Sequence, residues 1–465
     1  MFAVAVSASV FRIPIQVSDS VEIIEVIDRT PSIASAFAEG LHASRTMLRP
    51  MRQTGTKLLL DVAHGIGGRY NLAFRGFHAA AAALLILLFT RIARPRDWTG
   101  VAALCFAMLV LTGLHTFGGM MREAYPINHF LLIAIYCLAA FAIAETRGGA
   151  VADVAACLLF VVASLTLESG LVVLAVAVAA YVSGLRGISR GALVSMTVLA
   201  VGYVILRIPV LHMIGNTVGE RQTGFGTEML ATSELRARFG ATPWLLYAYT
   251  VVCSALTVLL SQPIAGQWTA VSSWDPQAPP LFFLNDIGTS LVATALVLWY
   301  LRRRRAPDGR RRWFDPAPLV MVAVLAGSSV LSYAYAKSEI MSAAGVFYAL
   351  VVYFAARELI EVLVRLPSDT SHSGRSAFRR FMTIGAVLIV ASAWGWRAVG
   401  LQYRLQRGAF EARSEWVLRL PPYSDPPVPP SAARLTPRLR EEALHRGRTN
   451  PYLLWPRYSR LWGEN

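Results

Sequence analysis

His78-Ala-Ala-Ala-Ala-Ala-Leu-Leu-Ile-Leu-Leu-Phe89 is twelve residues with no polar side chain after the first. After His78 no polar side chain appears until Thr90, and Arg91-Ile-Ala-Arg-Pro-Arg96 then closes the run. A surface helix of a soluble protein would carry a polar stripe, and a half-buried strand would alternate. This segment does neither, so it reads as a helix in an apolar solvent. Similar runs recur at 74–92, 99–117, 127–145, 151–167, 169–184, 191–210, 244–262, 286–301, 316–335, 340–356 and 381–399. Each is bounded by charge, proline or glycine. A crossing needs about 20 residues, so the shorter runs are expected to be tilted or broken. The chain therefore reads as an all-α polytopic membrane protein with about 10–12 transmembrane helices and amphipathic helices in its first extracytoplasmic loop.

Composition agrees. The 465 residues are 55% hydrophobic and only 15% charged, with a mean hydropathy of +0.49. These values exclude a disordered chain and a simple soluble enzyme. The net charge of +16 comes almost wholly from arginine, since Lys57 and Lys337 are the only lysines. The arginines gather in the links at 91–97, 145–149, 185–190, 302–313 and 357–380, which the positive-inside rule assigns to the cytoplasm. Topology accounts for the basic charge, so no nucleic-acid partner is expected. Cys105, Cys137, Cys157 and Cys253 all lie in apolar segments without CxxC spacing and read as small buried hydrophobes. Met1 to Phe11 is apolar but lacks a basic leader and is too short to span. It reads either as a half-helix or as a first span that has lost part of its length, the second being the preferred expectation.

The arginine pattern sets the organisation. Residues 1–402 form the multi-spanning domain, with 12–73 as the first outside loop. The links at 118–126, 167–169 and 336–339 also face out. Between Arg190 and Arg302, both placed inside, lie three apolar runs where an even number is required. Either the run at 244–262 is interfacial or re-entrant, which the Pro-rich 275–280 stretch favours, or 263–285 holds another crossing, within an outside or re-entrant region at 211–285. Residues 403–465 form a short outside tail whose Pro421-Pro-Tyr-Ser-Asp-Pro-Pro-Val-Pro-Pro430 run favours an extended polyproline conformation. A short amphipathic helix around 435–445 follows it.

The chemistry-bearing residues lie in the outside links. In Ser18-Asp19-Ser-Val-Glu22-Ile-Ile-Glu25-Val-Ile-Asp28 the carboxylates share one side of a helix and the aliphatic residues much of the other. Ser18 suits an N-cap. One reading is an amphipathic helix on the membrane with a solvated acidic face. The other makes Asp19, with Glu22 beside it, a general base at the membrane surface. Arg45, Arg49 and Arg52 sit outside against the charge rule, so they bind either phosphate, which guanidinium suits, or anionic lipid. Arg122 and Glu123 either pair locally or line a site with the first loop. His129, just inside the next span, reads as a packing histidine. Glu168, inside a long apolar stretch, is a functional candidate by default, because an unpaired carboxylate there is costly. Its bland alternative is a hairpin turn reaching the head groups. Arg207 could partner a phosphate or carboxylate, and Lys337 with Glu339 forms another polar tip. No P-loop, GxSxG, HExxH or dinucleotide motif is present.

These pieces occur in an informative order: an acidic loop after the first span, Leu48-Arg49-Pro50, an Arg75- and His78-bearing second span, Tyr125-Pro126, and the Leu165-Thr-Leu-Glu168-Ser-Gly170 turn. Over about the first 210 residues the chain resembles the GT-C superfamily of integral-membrane glycosyltransferases, which includes protein O-mannosyltransferase-like enzymes. It departs from their pattern in lacking a paired acidic dipeptide in the first loop, where Asp19-Ser-Val-Glu22 stands instead. The resemblance implies transfer of a sugar from a polyprenyl-phosphate donor to a glycolipid, glycan or protein acceptor. The reaction would take place at the outer face of the bacterial inner membrane. It also implies Asp19 as the base, and Arg49, Arg122 or Arg207, or a divalent metal, at the departing lipid phosphate. Two other classes fit the same composition. One is a lipid or polar-solute carrier or flippase, with Glu168 and Arg207 lining its path. The other is a non-catalytic membrane assembly subunit that binds through the Pro-rich tail.

Overall fold

The computed structural model describes residues 10–15, 17, 20–42, 48–65, 70–123, 125–207, 224–225, 228–229, 232–240, 244–260, 284–303, 314–333, 337–365, 373–418, 440–441, 443–446 and 448. Nearly all of them are helical. The exception in kind is a two-residue antiparallel pairing of Gly224–Phe225 with Glu228–Met229. The chain is an all-α protein of membrane type. The helices Tyr70–Ala93, Ser338–Val364 and Ile384–Val417 are each long and apolar enough to cross a membrane, and the bent pair Trp98–Gly113 and His115–Arg122 makes a fourth if it is one span. Among the described residues, seven further apolar helices are shorter. A 16-residue helix such as His129–Ala144 reaches only about 24 Å, against a hydrocarbon core of roughly 30 Å.

The centre of the bundle is the helix that is apolar on every side. Val346 through Tyr353 are all at most 1% exposed, as a helix without a polar face requires. It packs against Trp98–Gly113, His129–Ala144, Thr289–Arg302 and Pro316–Leu331. Ala103, Ala107 and Gly113 on the first of these are buried small residues, which let helix axes approach closely. By contrast Arg190–Ile205 presents Val194, Val198, Val201 and Val204 at the surface, the kind of face a bilayer would cover.

Two ends result. At one, the arginine-rich links meet: Arg94 pairs with Glu145 at 2.7 Å, Arg357 with Asp97 at 3.0 Å and Arg303 with Glu358 at 3.0 Å. The Ser189 amide donates to Asp153 at 2.8 Å, and the Gly187 amide donates to the Ala144 carbonyl at 3.0 Å. At the other end lie residues 48–52, 122–123, 125–128, 168 and 337–339. The link at 118–126 is not a loop there. The chain breaks at Leu114, whose backbone is extended, and turns by 64° into the helix His115–Arg122.

The Ser373–Leu418 helix changes the organisation read from composition. Its 46 residues reach about 69 Å, more than twice the hydrocarbon thickness. The boundary at 402/403 falls inside it, so 403–418 continues the helix. Leu405, Ala409, Ala412 and Trp416 are buried at helical spacing, and the charged residues between them hid that stripe from a compositional reading. Trp416 packs with Ile15, Ile24, Ile27 and Phe74, and its indole N–H donates to the Ile15 carbonyl. Arg446 donates to the carbonyl of Phe11. The two chain ends are thereby tied to the first-loop helices. The Pro-rich run at 421–430 lies outside the described residues.

In the first loop, the acidic segment is helical from Val21 to Arg29, with Ser20 rather than Ser18 before its first turn and no side-chain cap. Ile24 and Ile27 are buried, but so is Glu25, so the acidic face is only partly solvated. This helix packs on Pro50–Val62.

Candidate functional site

The polar end of the bundle is built from two ion-paired groups joined by an aromatic link. The first is centred on Glu168. Leu167 is extended (φ −157°, ψ 149°) and the chain folds back as the short 3-10 turn Glu168–Leu171. Gly170 is required there, because a Cβ would lie 2.1 Å from the Ala163 carbonyl oxygen. Opposite stands Arg49, in the restricted position before Pro50, which opens the next helix at its first residue. Leu48 is fully buried and packs with Tyr203, Leu165 and Leu171. Arg49 is thereby anchored, and it donates from Nε at 3.1 Å and Nη2 at 2.8 Å to Glu168 Oε2. Arg207 Nη2 lies 3.5 Å from Glu168 Oε1. One carboxylate thus bridges two guanidiniums drawn from distant parts of the chain.

The second group surrounds Lys337. Its ammonium donates to Glu123 Oε1 at 2.7 Å and lies 4.0 Å from Glu339 Oε2, while Arg122 Nη2 approaches Glu339 Oε1 at 3.8 Å. Burial, reinforced by the Glu339 carboxylate, raises the Glu123 pKa above the ordinary 4.5, against the opposing pull of Lys337. For Lys337, burial disfavours the charge, but Glu339 and Glu123 outweigh it and the ammonium pKa is raised. Two carboxylates therefore compete for one ammonium in a setting largely shielded from water. The close fit depends on Gly119, where a Cβ would lie 2.6 Å from Glu339 Oε1.

Tyr125 joins the groups. The Arg52 guanidinium lies 5.1 Å from its ring centre, the Lys337 ammonium 6.0 Å, and the His129 ring packs against it at 4.9 Å. Asn128 holds this link in place. Its amide N–H groups donate to the Met120 carbonyl at 2.7 Å and approach the Glu123 carbonyl at 3.4 Å, and its Oδ1 caps the Leu131 amide at 3.0 Å. Deeper in the bundle, Arg75 donates to the Tyr125 carbonyl at 3.4 Å and faces His78 at 3.3 Å.

Of the residues singled out in the sequence, Arg49, Glu168 and Arg207 come together directly. Arg122, Glu123 and Lys337 do so with Glu339, and Tyr125 brings Arg52 and His129 alongside. Asp19, Ser18 and Arg45 lie outside the described residues. Glu22 is on the Val21–Arg29 helix, with its side chain outside the described set. The sequence reading passed over Asn128, although an Asn just before an apolar run is an N-cap signal. It also passed over Arg397, a fully buried arginine whose guanidinium donates to Thr289 at 2.7 Å and Ser290 at 2.8 Å. An arginine inside an apolar run was the available signal.

Among the described residues no group of three His, Cys, Asp or Glu side chains is placed to hold a metal ion. The carboxylates of this end are already engaged by guanidinium and ammonium groups, so the described donors do not fit a divalent cation. No family model, curated protein or solved structure matches the chain.

Proposed function

We propose that the protein is a membrane glycosyltransferase that moves a sugar from a polyprenyl-phosphate donor to a glycolipid, glycan or protein acceptor at the outer face of the bacterial inner membrane. The observation that carries this reading is the meeting of Arg49, Arg52, Arg122, Arg207 and Lys337 at one end of an apolar bundle. Described carboxylates there are fewer than cations. A lipid phosphate would meet such a group with its chain in the bilayer and its charge against guanidinium.

In this reading the shorter helices complete about 10–12 crossings, tilted or broken where they fall short. The Trp244–Leu259 run is interfacial or re-entrant. Tyr247 packs on Tyr333 at one of its ends, and at the other the Leu259 carbonyl accepts from Thr294, whose hydroxyl meets Tyr348. Asp19, with Glu22 nearby, takes the proton of the acceptor hydroxyl. The acceptor oxygen bonds to the anomeric carbon as the bond to the phosphate oxygen breaks. The phosphate leaves with the electron pair, and attack from the opposite face inverts the centre. Arg49, Arg122 and Arg207 stabilise the charge that develops on the leaving oxygen.

The test is an in vitro transfer assay with a panel of polyprenyl-phosphate sugars and a membrane glycolipid extract, with and without EDTA. Consumption of one donor by wild type and its loss in Asp19→Asn is the expected result. Transfer by Asp19→Asn at the wild-type rate removes Asp19 from the mechanism. A donor moved across vesicles without being consumed would assign the protein to the carriers instead.

A further inference from the structure

Glu168 is an unusual neighbour for a phosphate site, because it puts a negative charge between the two guanidiniums that would hold the ligand. Its position is not adjustable by the backbone. Ser169 and Gly170 are buried, and Gly170 is pressed against the Ala163 carbonyl. Arg49 and Arg207 are 16% and 17% exposed at their side chains and Glu168 19%, so solvent screens the trio only in part. Two guanidiniums and one carboxylate leave one net positive charge.

Building on the reading of this end as a lipid-phosphate site, we infer that Glu168 is a specificity residue. It biases the Arg49–Arg207 pair toward a singly charged phosphodiester and against a doubly charged phosphomonoester. The reasoning is electrostatic. The repulsion between a fixed carboxylate and a bound anion scales with the anion's charge, so Glu168 penalises a dianion twice as strongly as a monoanion held in the same place. A sugar linked through phosphate to a prenyl chain is a phosphodiester with one charge. The prenyl phosphate left after transfer is a monoester whose second ionisation lies near pH 6. The bridging carboxylate therefore favours binding of the donor over retention of the spent carrier.

The experiment measures binding of farnesyl phosphate and of farnesyl methyl phosphate to the purified full-length protein in detergent, at pH 8 and low salt. Glu168→Gln is expected to tighten the diester by some factor and the monoester by roughly the square of that factor. Glu168→Asp, which keeps the charge, is expected to preserve the wild-type ratio of the two affinities. Arg207→Gln, which removes a positive charge at the same place, is expected to move the ratio the other way. A ratio unchanged in both neutral variants while wild type binds both probes overturns the role of Glu168 and leaves the phosphate reading standing. Failure of wild type to bind either probe overturns the phosphate reading itself. Chainless dimethyl phosphate is expected to bind far more weakly than the prenyl diester. Equal binding of the two overturns the lipid as the source of the phosphate.

Discussion

Replacing Lys337 by Met tests the energetics of the polar end most directly. The ammonium is 2.7 Å from Glu123 and 4.0 Å from Glu339, and these two residues are only 7% and 4% exposed. Removing it leaves the shielded Glu123 carboxylate without its ammonium, beside a Glu339 that keeps the 3.8 Å approach of Arg122. Breaking a buried pair in this way costs about 3–5 kcal/mol. The lower figure applies, because the Lys337 side chain is 23% exposed and solvent screens part of the interaction. The cost depends on pH with a definite sign. Burial first, then Glu339, raises the folded-state pKa of Glu123 above its ordinary 4.5, and Lys337 holds that rise back. A carboxyl with a raised folded pKa contributes stability that is present below its unfolded value and lost as pH rises through the folded value. Without Lys337 the folded value rises further, so the variant loses more than wild type as pH climbs above the ordinary carboxylate range. Melting in detergent, followed by intrinsic fluorescence, should show a deficit of about 3 °C at pH 8 that narrows toward pH 5. Lys337→Met combined with Glu123→Gln should recover much of the loss, since the buried charge is gone. A deficit that does not change with pH, or a double variant no better than Lys337→Met, would show that Lys337 does not act by neutralising Glu123.

Two further outcomes follow from packing. Gly119→Val drives Glu339 from its seat, because even a Cβ would lie 2.6 Å from its Oε1. The variant should melt below wild type, and Glu339→Ala in the same chain should restore part of the difference. Trp416→Phe keeps the ring in its apolar setting but deletes the indole donor to the Ile15 carbonyl. It should cost about 1 kcal/mol and should speed proteolysis in the first loop, read as earlier cleavage before residue 50. Unchanged cleavage would mean that the tie between the chain ends does not hold the loop.

What could be read from the sequence, and what could not, divides along a physical line. Exclusion of charge from the bilayer is a local rule, so the apolar runs and the arginine-bearing links were legible. The links at 91–97, 145–149, 185–190, 302–313 and 357–380 do supply contacts at one common end. The cost of a carboxylate among apolar residues is also local, and it marked Glu168 before its partners were known. Those partners were not legible. Arg49 lies 119 positions away, and Lys337 lies 214 positions from Glu123. Only packing between elements distant in sequence, Pro50–Val62 on Ala150–Thr166 and His115–Arg122 on Ser338–Met341, brings such pairs together. The break at Leu114 carries no proline, and Gly118 and Gly119 serve close contacts with Arg404 and Glu339 rather than the turn itself, so a single run at 99–117 was the natural reading. Beyond residue 402 the failure had another source. Average polarity there masks a stripe of Leu405, Ala409, Ala412 and Trp416, and that stripe, not the average, decides whether the helix continues. Periodicity should therefore outrank composition wherever a membrane helix runs on past its apolar segment. In this chain that rule turns an apparent tail into the element that carries Trp416 against Ile15 and couples the C-terminal helix to the first-loop helices beside the polar end.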